Sequence, residues 1–120
     1  MKMIIDKKVI ANMTFYLRIT DKYEKICIFS YSTKICQITV DFDGIDIEVD
    51  GHFYSKTTVR HLGIALAIAK LVNFNDIALY DLFSTIIASN SLKDLVRSFG
   101  YVGKQEKDKI FTDKAMLYIY

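Results

Sequence analysis

The segment YSKTTVRH, residues 54–61, concentrates side chains that could bind an anion or take part in acid–base chemistry. Ser and Thr hydroxyls accept hydrogen bonds from the free N–H groups at the start of a helix, which is the usual role of such a cluster. The same N–H groups, together with nearby cations, also bind phosphates and carboxylates. The pattern therefore predicts either a plain helix cap or a binding site for an anion or a partner, and the candidate residues are Tyr54, Ser55, Lys56, Thr57, Arg60 and His61.

A row of carboxylates stands just before this segment, at Asp41, Asp43, Asp46, Glu48 and Asp50. Alternating charges of this kind are typical of the solvated face of a strand and of the turns beside it. A calcium-binding EF-hand loop requires Glu at its twelfth position, where a loop counted from Asp41 has His52 instead. The alternative function is mimicry, in which the carboxylates imitate DNA phosphates and occupy a basic groove of a nuclease.

The residue types give little support to catalysis or to a metal site. The chain has two histidines and two cysteines, and they lack the closely spaced pairs that the four ligands of a zinc site require. Its five glycines are scattered and form no phosphate-binding loop. We therefore expect no metal, no cofactor and no enzyme. The enzymatic alternative is a small nuclease with His52 or His61 as its base, or a Ser55–His61 pair.

The composition predicts one folded domain inside a cell. A chain of 120 residues, 52% of them hydrophobic, is long enough to bury a core. A net charge of +2 offers no strongly basic tail for nucleic acid. The longest apolar stretch, LGIALAIAKLV, is interrupted by Lys70 and is too short to span a bilayer, and the N-terminal residues lack the apolar run of a signal peptide. We expect a cytoplasmic protein with both thiols free.

Periodicity divides the chain into a strand-rich first part and a helical second part. Apolar alternation predicts strands over residues 14–20, 25–31, 35–40 and 45–49, with a short fifth strand at 52–54. Helical spacing begins after residue 55 and predicts further helices over 76–89 and 91–100. The fold class is therefore α+β: an antiparallel sheet of four to five strands, residues 14–54, followed by two to three helices packed on one face, in a single domain.

Several local features refine this fold. Asp76 and Ser91 are expected to cap the second and third helices, and Gly100 to end the third. The first helix is expected to place one apolar stripe on the sheet, made of Val59, Leu62, Leu66, Ala69 and Val72. Residues 1–13 are expected to cover the sheet edge as a strand or a helix. The segment MLYIY near the C-terminus fits either type of element.

The faces of the two cysteines depend on the turn between the second and third predicted strands. If Ser32 and Thr33 form a two-residue loop, Phe29 pairs with Cys36 across the hairpin. The residues predicted to share one face are then Cys27, Phe29, Cys36 and Ile38. Both cysteines would be small buried hydrophobic residues, which is their commonest environment.

A resemblance extends over residues 29–66. The segment YSKTTVRH, preceded by IDIEVDGHF and by FSYSTKICQI further upstream, resembles small phage-encoded proteins of unknown function. In that group a tyrosine-containing strand precedes a hairpin, and a Tyr-Ser-x-Thr-Thr-x-(Lys/Arg)-His segment opens a helix. Some of these proteins are encoded among anti-defence genes, including anti-CRISPR genes.

The resemblance and the acidic row together predict a binding function. We expect a phage-type anti-defence protein that inhibits a bacterial defence effector, such as a Cas nuclease, by stoichiometric binding, with no membrane partner. The main alternative is a small nucleic-acid-binding or regulatory module that uses Lys56, Arg60 and the flanking tyrosines. Association of the chain with itself stays open.

Overall fold

The computed structural model describes residues 3–49, 56–75, 77–102 and 118–119. Five antiparallel strands form a meander and three helices follow them, so the predicted α+β class is confirmed. The strands are β1 (Ile4–Ile10), β2 (Met13–Ile19), β3 (Tyr23–Ser30), β4 (Thr33–Asp41) and β5 (Gly44–Val49). The helices are α1 (Lys56–Asn75), α2 (Leu79–Ala88) and α3 (Leu92–Phe99).

Two strands lie at the edges of this sheet. The N-terminal segment forms β1, which pairs with β2 and extends the sheet beyond the predicted first strand. At the other edge, β6 (Tyr118–Ile119) pairs in parallel with β5, so part of the ambiguous C-terminal segment is a strand. The short strand predicted at residues 52–54 lies outside the described residues.

Strand alternation separates a face covered by the helices from an open face. In β2, Phe15 and Leu17 are buried, whereas Tyr16 and Arg18 lie on the open face, as their spacing predicts. In β5, Ile47 is buried and the acidic residues beside it point to the open face. The buried side chains of the sheet and helices form one hydrophobic core. The period of two along β2 and β5 therefore places the polar side chains of these strands on the open face.

The predicted register of the β3–β4 hairpin is wrong. The two turn residues are Tyr31 and Ser32, because Ser30 pairs with Thr33, and an irregularity then places Cys36 opposite Ile28. Tyr31 has a positive φ of 54°, and its N–H donates to the Asn12 carbonyl oxygen at 2.7 Å. The extra residue at the irregularity shifts β4 relative to β3, and such a shift exchanges the two faces of a strand.

The two cysteines therefore lie on opposite faces, and only one is fully buried. Cys36 faces the helices with 0% exposure, and burial raises the pKa of its thiol to about 12. Cys27 is half-buried on the open face, where its Sγ lies 3.6 Å from Gln37 Oε1. Burial also raises the pKa of Cys27. Both thiols are free.

Helix α1 is buried around most of its circumference rather than along one stripe. Every residue from 61 to 69 is buried, and so is Val72, whereas Val59 is half-buried. The reason is that α1 contacts β3 and β4 on one side and α3 on the other. Its sequence is apolar on all sides, which is typical of a helix in the interior of a domain.

Helices α2 and α3 begin differently. Ser91 caps α3 as predicted, because its Oγ accepts a hydrogen bond from the Asp94 N–H at 3.1 Å, and Gly100 ends that helix with φ 88°. Asp76, which was predicted to cap α2, lies outside the described residues. The N-cap of α2 is Ala78, without a side-chain hydrogen bond, so this helix begins later than predicted. The chain is extended at Ala78, and the preceding Ile77 packs against the core.

No helix among the described residues has the length and apolar character needed to cross a bilayer.

Gly63 allows the segment after α3 to pack tightly on α1. The Val102 N–H donates to the Gly63 carbonyl oxygen at 3.0 Å, and the Tyr101 ring lies against the Gly63 Cα. A Cβ at position 63 would overlap the Tyr101 ring and come within 2.8 Å of the Val102 carbonyl oxygen. The contact therefore leaves no space for a side chain at this position.

We predict that Gly63→Ala lowers the free energy of unfolding by about 1–3 kcal/mol, the usual cost of overpacking a core. Urea titration measures this loss. The added Tyr101→Ala change should recover part of it, because it removes the flexible half of the clash but leaves the backbone oxygen. A Gly63→Ala variant as stable as the wild type would contradict the close contact.

Candidate functional site

The predicted binding segment divides into an exposed part and a buried part. Helix α1 begins at Lys56, and the side chains of Lys56, Thr57 and Arg60 are exposed. His61 points into the domain and is 1% exposed. Tyr54 and Ser55 lie outside the described residues. The proposed anion-binding role stays a prediction for the three exposed residues, and the His61 ring does not share their surface.

His61 belongs to a buried polar cluster that joins α1 to the end of β3. The Ser30 hydroxyl lies 2.7 Å from His61 Nδ1 and 3.2 Å from Thr58 Oγ1. The Tyr31 ring lies beside the imidazole, with the ring centroids 6.0 Å apart and the ring planes inclined by 39°. Sequence reasoning missed Ser30. The signal was present, because Ser30 continues the helix-facing positions of Ile26 and Ile28 in β3 and therefore needed a polar partner.

The contact between Ser30 and His61 has the short distance of a nucleophile–base pair, but not the accessibility of one. Both side chains are 1% exposed, so no substrate atom reaches the hydroxyl in this arrangement. A buried hydroxyl or imidazole without a partner costs free energy, and this cluster satisfies all three polar side chains. The arrangement holds the first turns of α1 on the sheet. Burial and then the Arg60 charge lower the pKa of His61 below its ordinary value of 6.5.

The acidic residues are distributed over the β4–β5 hairpin and its open face. Asp41 is the last residue of β4 and Asp43 is in the turn, where Asp41 Oδ1 accepts a hydrogen bond from the Asp43 N–H at 2.8 Å. Asp46 is an exposed residue. Its pKa is raised by partial desolvation of the carboxylate and then by the negative charges of Glu48 and Asp41. Glu48 is half-buried and accepts a hydrogen bond from Gln37 Nε2 at 3.3 Å. Asp50 lies outside the described residues.

Phe42 stands at the tip of this hairpin and is 94% exposed. It borders an open cleft of about 220 Å³ between the β2–β3 turn and the β4–β5 turn. The cleft is lined by Thr20, Asp21, Lys22, Tyr23, Glu24, Val40, Asp41 and Phe42. The sequence showed Phe42 only as part of a turn, DFDG. We call Phe42 and its acidic neighbours Asp21, Glu24, Asp41 and Asp43 the acidic tip.

The open face carries aromatic rings and cations on β1, β2 and β3. Tyr16 and Phe29 form an edge-to-face pair with their centroids 5.4 Å apart. Lys7 Nζ lies 5.7 Å from the centroid of the Tyr16 ring, and Lys25 Nζ lies 5.2 Å from that of Tyr23.

No set of three or more His, Cys, Asp or Glu side chains within the described ranges is arranged to hold a metal ion.

These features define an α+β protein whose helices cover one face of a meander sheet and whose acidic tip and open face are accessible. The chain belongs to a family of unknown function, DUF8033, whose model matches residues 2–70. The matched range contains β1 to β5 and most of α1, and therefore both accessible surfaces and the buried polar cluster. No curated protein and no solved structure matches the chain.

We predict that the protein becomes less stable as the pH falls below about 6.5. The unfolded chain protonates His61 at its ordinary pKa of 6.5, whereas the folded protein protonates it only at lower pH. The unfolded state therefore binds more protons in this range, and acidification favours it. Urea titrations above and below pH 6.5 measure the effect, and His61→Asn should flatten this part of the profile.

The Arg60→Ala variant tests the second cause of the shift. Removing this charge should raise the pKa of His61 towards 6.5 without restoring it, because burial remains. Lys56→Ala removes a neighbouring exposed charge and serves as the matched control. Titration of the imidazole signals by NMR measures both variants. An unchanged pKa in Arg60→Ala would contradict the charge contribution.

Proposed function

We propose that this protein is a phage-type anti-defence inhibitor that acts in the host cytoplasm by stoichiometric binding to a basic protein surface, such as the nucleic-acid groove of a Cas nuclease. The observation that carries the proposal is the 94% exposure of Phe42 between two aspartates at a hairpin tip. The proposal requires no catalytic step, cofactor or metal.

An exposed aromatic ring at a protruding turn has the properties of a binding anchor. Aromatic side chains dominate the binding free energy of many interfaces when they enter a pocket of the partner. Phe42 gains little from the fold of its own chain, because almost all of its surface is in water. A partner that encloses the ring would remove that apolar surface from water, and this removal is favourable.

The charges around Phe42 define the kind of partner. Four carboxylates lie beside the Phe42 ring or line the adjoining cleft: Asp21, Glu24, Asp41 and Asp43. Lys22 contributes a positive charge to the lining of the cleft. Carboxylates around an apolar anchor complement a basic rim around an apolar pocket. Asp46 and Glu48 continue the negative charge along β5. A nuclease groove that normally holds phosphates has the matching positive potential.

We predict that Phe42→Ala abolishes most of the inhibition and leaves the fold intact. Truncating an interface anchor costs about 2 kcal/mol or more of binding free energy, whereas an exposed substitution changes stability by about 0.5 kcal/mol at most. Plating of phage on a host with an active CRISPR-Cas nuclease measures inhibition, and a thermal melt measures stability. Tyr80→Ala, at a half-exposed aromatic residue on α2, is the matched control.

A charge variant examines the electrostatic part of the same proposal. Asp43→Lys combined with Asp46→Lys reverses two exposed carboxylates, and binding to the nuclease should then fail because like charges oppose each other. Binding of the wild type should weaken as the salt concentration rises. Full inhibition by both the Phe42→Ala and the charge variants, each folded, would remove the acidic tip from the function.

A further inference from the structure

The open face contains a pair of like charges that the fold itself does not explain. Arg18 on β2 lies directly opposite Lys25 on β3. Like charges at opposed positions of an antiparallel pair destabilise it. Within the described ranges, neither Arg18 nor Lys25 forms an ion pair with a carboxylate, in contrast to Arg97, which lies 3.8 Å from Asp94. The Arg18 Nη2 lies 3.8 Å from the Met3 sulfur.

Aromatic rings adjoin this cationic pair on the same face. Tyr16 is two residues from Arg18 on β2, so their side chains are neighbours on the open face. Tyr23 and Lys25 are neighbours on β3 in the same way. Tyr16 is 39% exposed, and its ring meets Phe29 edge to face. Lys7, opposite Tyr16 on β1, adds a third cation. Three cations on three neighbouring strands therefore lie beside one exposed ring, Tyr16, and two half-buried rings, Tyr23 and Phe29.

We infer that the open face over β1, β2 and β3 binds single-stranded nucleic acid, with a phosphate between Arg18 and Lys25 and a base stacked on Tyr16. Single strands are bound without sequence preference by grooves or sheets that combine cations for the backbone with aromatic platforms for the bases. Open-face side chains repeat about every 6.6–6.8 Å along a strand. This repeat separates the Tyr16 side chain from that of Arg18 on β2.

The acidic residues of β5 set one boundary of the site. Asp46 and Glu48 share the open face with these cations but lie two strands beyond β3. Their charge repels phosphates, so a bound strand lies over the β1 to β3 half. The site adjoins the acidic tip at Tyr23, which also lines the cleft there. Its proposed contacts are at Arg18, Lys25 and Tyr16, and the inference does not depend on the proposed inhibition.

The central experiment measures binding of a fluorescent oligo-dT and a fluorescent oligo-U by anisotropy at low and high salt. Arg18→Glu should weaken binding by about tenfold or more and reduce its salt dependence, because a phosphate contact is lost. The same change places a carboxylate opposite Lys25, so the melting temperature should rise. Loss of binding in a more stable protein separates a ligand contact from a structural role.

Two further variants define the site. Tyr16→Ala should weaken binding by about tenfold, within the range found for loss of one stacked base, and Tyr16→Phe should bind like the wild type. Lys56→Glu combined with Lys93→Glu changes the charge at two exposed positions outside the sheet and should have a smaller effect than Arg18→Glu. Phe42→Ala should leave oligonucleotide binding unchanged, whatever its effect on inhibition.

Four outcomes would overturn the inference. The first is no detectable binding of either oligonucleotide at low salt. The second is equal affinity for duplex DNA, which would remove the stacking role of the rings. The third is displacement of the oligonucleotide by polyglutamate at equal concentration, which would indicate an acidic protein as the ligand. The fourth is a larger loss in the Lys56→Glu, Lys93→Glu variant than in Arg18→Glu, which would place the anion site at the start of α1.

Discussion

The burial of α1 between the sheet and α3 is the constraint on which the rest of the structure depends. A helix surrounded by protein must find a partner for each of its polar side chains, because an unpaired polar group in the interior is costly. Thr58 and His61 meet this requirement at Ser30, on the last residue of β3. At the other side, Gly63 has no side chain and so admits the Tyr101 ring. Both contacts locate α1 relative to the sheet.

Because all three helices follow the sheet and pack on one of its faces, the other face is available for binding. Its charge is unevenly distributed, with cations over β1 to β3 and carboxylates on β5 and at the β4–β5 turn. The two proposed surfaces are therefore adjacent but opposite in sign.

The edge of the sheet at β1 shows how the protein limits unwanted association. Three consecutive charged residues, Asp6, Lys7 and Lys8, occupy the centre of this strand. Asp6 Oδ1 accepts a hydrogen bond from the Lys7 N–H at 2.7 Å, so a side chain of the strand itself occupies that backbone donor. Charges on an edge strand oppose pairing with another sheet. The two proposed surfaces, the open face and the acidic tip, lie away from the backbone groups of this edge.

The sequence by itself determined the fold class, the faces of β2 and β5, and the beginning and end of α3. Each depends on a local rule: the period of two in a strand, the Ser91 side chain at a helix start, and the positive φ that glycine permits at Gly100. Only the tertiary structure decided the β3–β4 register, the burial of His61 and the exposure of Phe42. A shift of one residue exchanges the faces of a strand. The turn at 31–32 gives Tyr31 a positive φ, which local preference disfavours for a bulky residue, so the local sequence did not select this register. His61 is buried because Ser30, far away in the sequence, supplies its partner, and no local pattern contains that contact.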